Sequence, residues 1–93
     1  MFEWDPKKER ENLKKHGVDF TTAQMAFEDE HKYIETDVSH SSESEQRYFC
    51  YARIDSRILT VRFTIRPGAL RIIGAGYWRK GVEIYENQKN QKK

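Results

Sequence analysis

The stretch QRYFCYARIDSRILTVRFTIRPGALRIIGAGY, Gln46–Tyr77, decides the fold. It holds three runs rich in aromatic and β-branched residues, QRYFCYARI, RILTVRFTI and ALRIIGAGY, broken by Asp55-Ser56 and by Arg66-Pro67-Gly68, both turn signals. In the middle run Leu59, Val61, Phe63 and Ile65 share one face, while Ile58, Thr60, Arg62, Thr64 and Arg66 share the other. That alternation predicts a strand with one side in the core and the other largely solvated. The connections are too short for parallel crossovers, which need a dozen residues or more, so the three strands are expected to be antiparallel neighbours. Upstream, KYIETD (32–37) reads as a fourth strand, and VSHSSESE (38–45) as a polar loop of the kind that stays mobile.

The flanks have helical signals. Met1–Trp4 reads as a short strand, and a helix follows in which Asp5 can cap the free amides and Pro6 loses nothing by lacking an N–H. Its last turn, NLKKHG, ends in cations and a glycine. Leu13 is its main apolar residue, so it should lie on a surface. A second helix fits DFTTAQMAFED (19–29), with Asp19 as cap, Phe20, Ala23 and Phe27 on one face, and Val18 and Phe20 pinning it to the core. Trp78, Val82 and Tyr85 at i, i+4 and i+7 predict a closing helix that trails into NQKNQKK. The expected molecule is one α+β domain over residues 1–87, with a disordered basic tail at 88–93. It has two N-terminal helices, a four-stranded antiparallel sheet plus the short N-terminal strand, and a C-terminal helix, the helices packed on one sheet face.

At 93 residues there is room for a single core. No apolar run approaches the roughly 20 residues of a membrane span, and the N-terminus carries charge where a secretory signal needs an apolar segment. We therefore expect a cytoplasmic protein that does not engage membranes. The lone Cys50, inside an apolar-aromatic run, reads as a small buried hydrophobe. Net charge is only +2 but segregated. Residues 28–45 hold seven acidic residues against one lysine, a local −6, whereas eleven Lys and Arg against three acids follow from Gln46, a local +8. Such clustering fits a polyanion or an acidic protein surface as partner, and equally a solvated arginine-rich sheet face.

Several chemistries lack their pattern. His16, His31 and His40 are scattered without metal-binding spacing, so neither metal nor other cofactor is expected. Gly74-Ala75-Gly76 follows a late strand instead of opening a βαβ unit, so it is no nucleotide cradle. Asp37, Ser39 and His40 sit in the loop, whereas a nucleophile needs held geometry. What remains is a set of arginines (Arg47, Arg53, Arg62, Arg66, Arg71, Arg79) interleaved with Tyr48, Phe49, Tyr51, Tyr77 and Trp78. Guanidinium groups bind phosphate and aromatics stack on unpaired bases, a pattern suited to single-stranded RNA. RNA can be cut without a metal, its own 2′-hydroxyl attacking the phosphorus, if the protein supplies in-line positioning, a proton acceptor and cations. His16, beside Lys14 and Lys15, is a candidate acceptor by residue type; the same place is one that a favourable charge at a helix C-terminus would fill.

Specific strings then narrow the reading. FEWDPKKERENLKKHGVDFTTAQMAF resembles the N-terminal signature of the BrnT toxin family, F-x-W-D, N-x-x-K-H-G-V-x-F and A-x-x-x-F. RYFCYARI, RILTVRFTIR and LRIIGAGYWRKGVEIYE are similar to its later strands and closing helix, so the likeness covers nearly the whole chain. The resemblance implies a RelE-like fold and an endoribonuclease toxin of a type II toxin–antitoxin pair. It also implies inhibition of translation and a hetero-oligomer with a ribbon-helix-helix antitoxin, through which alone operator DNA is engaged. By position, Arg66 matches a family arginine implicated in toxicity, and Lys15 and His16 match the K-H-G block. Gly76 stands where the family commonly has a second such arginine, in R-I-I-S-A-R. Either Arg79 or Lys80 then replaces that cation, or cleavage is weakened, in the extreme leaving a silent antitoxin-binding module that tunes operon autorepression. The expected catalytic residues are Arg66, His16 and Arg79, with Arg71, Lys15, Lys80, Arg62 and Trp78 contacting RNA.

Overall fold

The computed structural model describes residues 1–91. Its elements are β1 (Phe2–Glu3), α1 (Pro6–His16), α2 (Phe20–Gln24) running into a 3-10 turn at Met25–Glu28, β2 (Tyr33–Thr36), β3 (Arg47–Ile54), β4 (Arg57–Arg66), β5 (Ala69–Gly76) and α3 (Arg79–Gln91). The five strands form one sheet in the order β1-β5-β4-β3-β2. The last four pair as an antiparallel meander, and β1 joins β5 in parallel through Phe2↔Leu70 and Glu3↔Arg71. The α+β architecture expected from the sequence is thus the observed one.

The predicted caps are in place. Asp5 accepts from Lys7 N at 2.9 Å and Asp19 from Thr22 N at 2.7 Å. Val18, Phe20, Ala23 and Ala26 are buried against Cys50, Ala52, Leu59, Val61, Phe63, Ile72 and Ala75. Burial pushes the Cys50 thiol up to about 12, which leaves it an inert part of this core.

Four expectations need correction. The helices do not share one face. On β4 the residues Leu59, Val61 and Phe63 meet α2, whereas Ile58, one position out of phase, packs with Tyr51 and Tyr85 in a second cluster beneath α3. The sheet is therefore sandwiched, because the supposedly wet face carries enough apolar surface at one end to need its own helix. Thr60 and Thr64 on that face are buried, while Ile65 on the core face is 58% exposed where the strand overhangs the helices. The 38–45 loop is tied down: Ser41 Oγ donates to Asp37 O at 2.7 Å and accepts from Arg47 N at 2.8 Å, and Asp37 N donates to Arg47 O at 2.7 Å. Finally, residues 88–91, expected in a disordered tail, continue α3 to Gln91. No proline or glycine interrupts that run, and Lys92 and Lys93 lie outside the described residues.

Two close approaches set the geometry of this second face. α3 crosses β4 at Gly81, where any Cβ would overlap Thr60 Oγ1 and lie 3.2 Å from Tyr51. On β5 the register slips by one residue, from Arg62↔Gly74 to Phe63↔Ile72, so Ile73 forms a bulge. Bulges bend a strand and increase its twist.

Asn12 is the one buried residue of the polar helix α1. Its Nδ2 donates to Val18 O and to Ala75 O, both at 2.9 Å, and its Oδ1 accepts from Ala75 N at 3.1 Å. β1 pairs only with Leu70 and Arg71, so beyond them the outer edge of β5 has no strand partner. The carboxamide of Asn12 supplies at Ala75 the donor and acceptor that a neighbouring strand would otherwise offer. Asn12→Asp, which sets a carboxylate against two carbonyls, should cost about 3 kcal/mol, read as a drop in Tm by thermal unfolding.

Asp29 gathers the opposite corner. Its carboxylate accepts from Arg53 N at 2.8 Å, His31 N at 2.9 Å and the Tyr85 hydroxyl at 2.7 Å, joining β3, the loop before β2, and α3. Burial raises its pKa, but these hydrogen bonds outweigh burial and hold the carboxyl below its ordinary value. A carboxyl depressed by folding contributes stability above its unfolded value, about 3.9, and that contribution is lost as pH falls through the folded value. Tm measured from about pH 6 to about pH 2 should fall below about pH 4, and Asp29→Asn should flatten part of that fall.

Candidate RNA-binding face

The face opposite α2, with α1 along its β5 margin, reads as rows across the strands. Tyr33, Tyr51, Thr60 and Gly76 form one; Glu35, Phe49, Arg62 and Gly74 the next; Arg47, Thr64, Arg71 and Glu3 the third. α3 covers the first row. The second and third, with Arg66 beyond, form the part left open to a ligand.

Two cavities flank Trp78 on this face. The first, about 180 Å³, lies between the end of α1 and the sheet. Lys8, Glu11, Lys15 and His16 line it from the helix, Arg62, Ile73 and Gly74 from the strands, and Trp78 closes it. The His16 ring meets the Trp78 indole edge-on, centroids 5.1 Å apart. Lys15, His16, Arg62 and Trp78, named from the sequence, are thus brought together. Lys8 and Glu11 were missed, although Lys8, Glu11 and Lys15 fall at i, i+3 and i+7 on one helix face, a spacing that would have found them.

Arg66 and Arg71 stand apart from this cleft. Arg71 Nη1 bonds Glu3 Oε2 at 2.9 Å; Arg66 Nη2 bonds Glu45 Oε1 at 3.3 Å; Arg47 Nε bonds Glu45 Oε2 at 2.8 Å. The hydrogen bond from Arg47, with the charges of Arg47, Arg66 and Arg71, holds Glu45's carboxyl below its ordinary value. Such part-exposed pairs contribute little to stability. Their carboxylates occupy positions that phosphate oxygens can take instead.

Arg79 and Lys80, in the first turn of α3, are exposed. Arg79 lines neither the His16 cleft nor the Arg66 region, and makes no ion pair among the described residues. The structure therefore does not bring Arg66, His16 and Arg79 to one point.

Lys80 lines the remaining cavity, about 330 Å³, with Glu35, Asp37, Phe49, Tyr51, Thr60 and Trp78. Tyr51 OH donates to Glu35 Oε2 at 2.6 Å. Burial and then this bond push the Tyr51 hydroxyl far above its ordinary range, so it remains a donor. Beside it, Asp37 is buried. Burial raises its pKa, but bonds from His40 and Ser39 prevail and hold the carboxyl below its ordinary value. Asp37 Oδ2 and Ser39 Oγ both meet His40 at Nδ1, at 2.9 and 3.1 Å. A catalytic triad needs the serine and the carboxylate on opposite ring nitrogens, so this trio is a loop brace.

Trp78 is the wall shared by the two cavities, and Gly76 lies under it. A Cβ at Gly76 would fall inside the indole. The space above Gly76 is thus filled by Trp78, and the residue needs to be glycine for that reason. Gly76→Arg should displace the indole and cost about 1–3 kcal/mol in urea unfolding, and Gly76→Arg combined with Trp78→Ala should recover most of the loss.

Comparison with known proteins agrees with the span of these elements. A search of curated proteins finds no match. The family model described as the ribonuclease toxin BrnT of type II toxin–antitoxin systems matches residues 4–81, which run from Trp4 through α1 and the meander to the close approach of Gly81. The chain belongs to the BrnT family of ribonuclease toxins of type II toxin–antitoxin systems.

Proposed function

We propose that this protein is a metal-independent endoribonuclease whose chemistry takes place in the cleft between α1 and the sheet. The observation that carries the reading is the convergence there of Lys15, His16 and Arg62 against Trp78. The RNA 2′-oxygen forms a bond to phosphorus as the bond from phosphorus to the 5′-oxygen breaks. His16, as neutral imidazole, takes the 2′-hydroxyl proton; Lys15 gives a proton to the departing 5′-oxygen. Arg62 stabilises the charge that builds on the phosphoryl oxygens. The products are a 2′,3′-cyclic phosphate and a 5′-hydroxyl. Arg66 and Arg71, released from Glu45 and Glu3, continue the backbone track, and Arg79 and Lys80 meet the strand at its other end.

In this reading cleavage inhibits translation in the cytoplasm. A ribbon-helix-helix antitoxin neutralises the protein in a hetero-oligomer by covering the same cations, and operator DNA is engaged through the antitoxin alone. Purified protein in EDTA should degrade RNA. Arg62→Ala should lower the rate by about 10²-fold or more, and His16→Ala by about 10²–10⁴-fold. Intact RNA with the wild-type protein would refute the reading.

A second reading follows from Gly76. With the indole lying where the family's arginine would project, the chain would be a silent homologue that binds its antitoxin and tunes operon autorepression. Expression without the antitoxin separates the two: arrested growth, relieved by Arg62→Ala, belongs to the nuclease, and unimpaired growth to the binding module.

A further inference from the structure

The cavity on the far side of Trp78 from His16 has a different chemistry from the cationic cleft. Its walls are the half-buried Phe49 and Trp78, its rim carries Lys80, and its carboxylates are Glu35 and Asp37. At about 330 Å³ it has the size of a small-molecule pocket. Asp37 is spent on His40 and Ser39. Glu35 is not: Oε2 accepts from Tyr51 OH, and Oε1 has no hydrogen-bond partner among the described residues. Thr60, in the same cavity wall, is covered by α3 at Gly81. It is 3% exposed, it lines the cavity, and its Oγ1 has no partner among the described residues.

We infer that this cavity is a nucleobase pocket selective for guanine, placed one nucleotide from the phosphate held by Lys15 and Arg62. The inference rests on the ribonuclease reading for its substrate, not for its geometry. A carboxylate offers two acceptors side by side. Of the four bases, guanine alone presents two adjacent donors on its Watson–Crick edge, N1–H and the N2 amino group. Adenine and cytosine place an acceptor beside their donor, and uracil flanks its single donor with two carbonyls. Each of those edges would turn a lone pair toward Glu35. Lys80 can donate to guanine O6, and Phe49 and Trp78 provide faces against which any base packs. The Tyr51 bond fixes the orientation of Glu35, so the pocket is organised before the base arrives.

The test is a titration of the intact protein with the 3′-monophosphates of guanosine, adenosine, cytidine and uridine, followed by tryptophan fluorescence. Guanosine monophosphate should bind at least about tenfold more tightly than the others, the discrimination of one good bidentate pair. Glu35→Gln keeps an acceptor for Tyr51 but pairs an acceptor with a donor, and should move the preference to adenosine or cytidine. Lys15→Ala should weaken all four alike. Equal binding of the four nucleotides, or a guanosine preference untouched by Glu35→Gln in a protein of unchanged Tm, would overturn the pocket. Failure of the nuclease reading is separate: guanosine selectivity without RNA cleavage removes the nuclease and leaves the pocket, whereas RNA cut equally at all four bases does the reverse.

Discussion

The hydrogen bonds of Asn12 hold the rest in place. A meander ended by a two-residue parallel strand leaves half of β5 without a neighbour, and an exposed strand edge is both unstable and sticky. Asn12 closes that edge from a helix, with one carboxamide answering both backbone groups of Ala75 and also Val18 O. The consequence reaches the site. Because Asn12 fixes α1 along β5, the next turns of the same helix carry Lys8, Lys15 and His16 over the sheet margin, opposite Arg62. Glu9 adds a second tie, accepting from Trp4 Nε1 at 3.1 Å and from Phe20 N at 2.9 Å. A polar helix that buries almost no apolar surface is thus positioned by hydrogen bonds, and its remaining polar face is free for a ligand.

Small residues decide where large ones go. Gly81 lets α3 lie directly on Thr60, and Gly76 leaves the space that the Trp78 indole fills at the end of β5. Together they put an aromatic wall between a cationic cleft and an acidic, aromatic cavity. No side chain can project at position 76, because the Trp78 ring fills that space.

The charge segregation seen along the chain is partly undone in space. Glu3 and Glu45 fold onto Arg71, Arg66 and Arg47, so those arginines are paired with one another through two carboxylates. Arg62, by contrast, makes no ion pair among the described residues. The +8 of the C-terminal half therefore does not translate into a uniform cationic surface. Arg62, which faces the end of α1 across the cleft, is one of several arginines outside those pairs among the described residues.

Much was legible in the residues themselves. The period-two runs from Gln46 to Tyr77, their turns, the Asp5 and Asp19 caps and the buried Cys50 follow from local rules, because strand alternation, turn chemistry and capping involve neighbours in sequence. The string resemblance identified the family for the same reason. Tertiary structure decided the rest. That Ile58 calls for a helix on the second face, and that Arg66 and Arg71 are tied to Glu45 and Glu3, depend on partners many residues away. So does the site: Asn12, which binds Ala75 63 residues along the chain, helps hold α1 where residues 15, 16, 62 and 78 share a cleft. A local pattern can name an arginine, but whether it meets phosphate, a carboxylate or open solvent is fixed by which distant element the fold sets beside it.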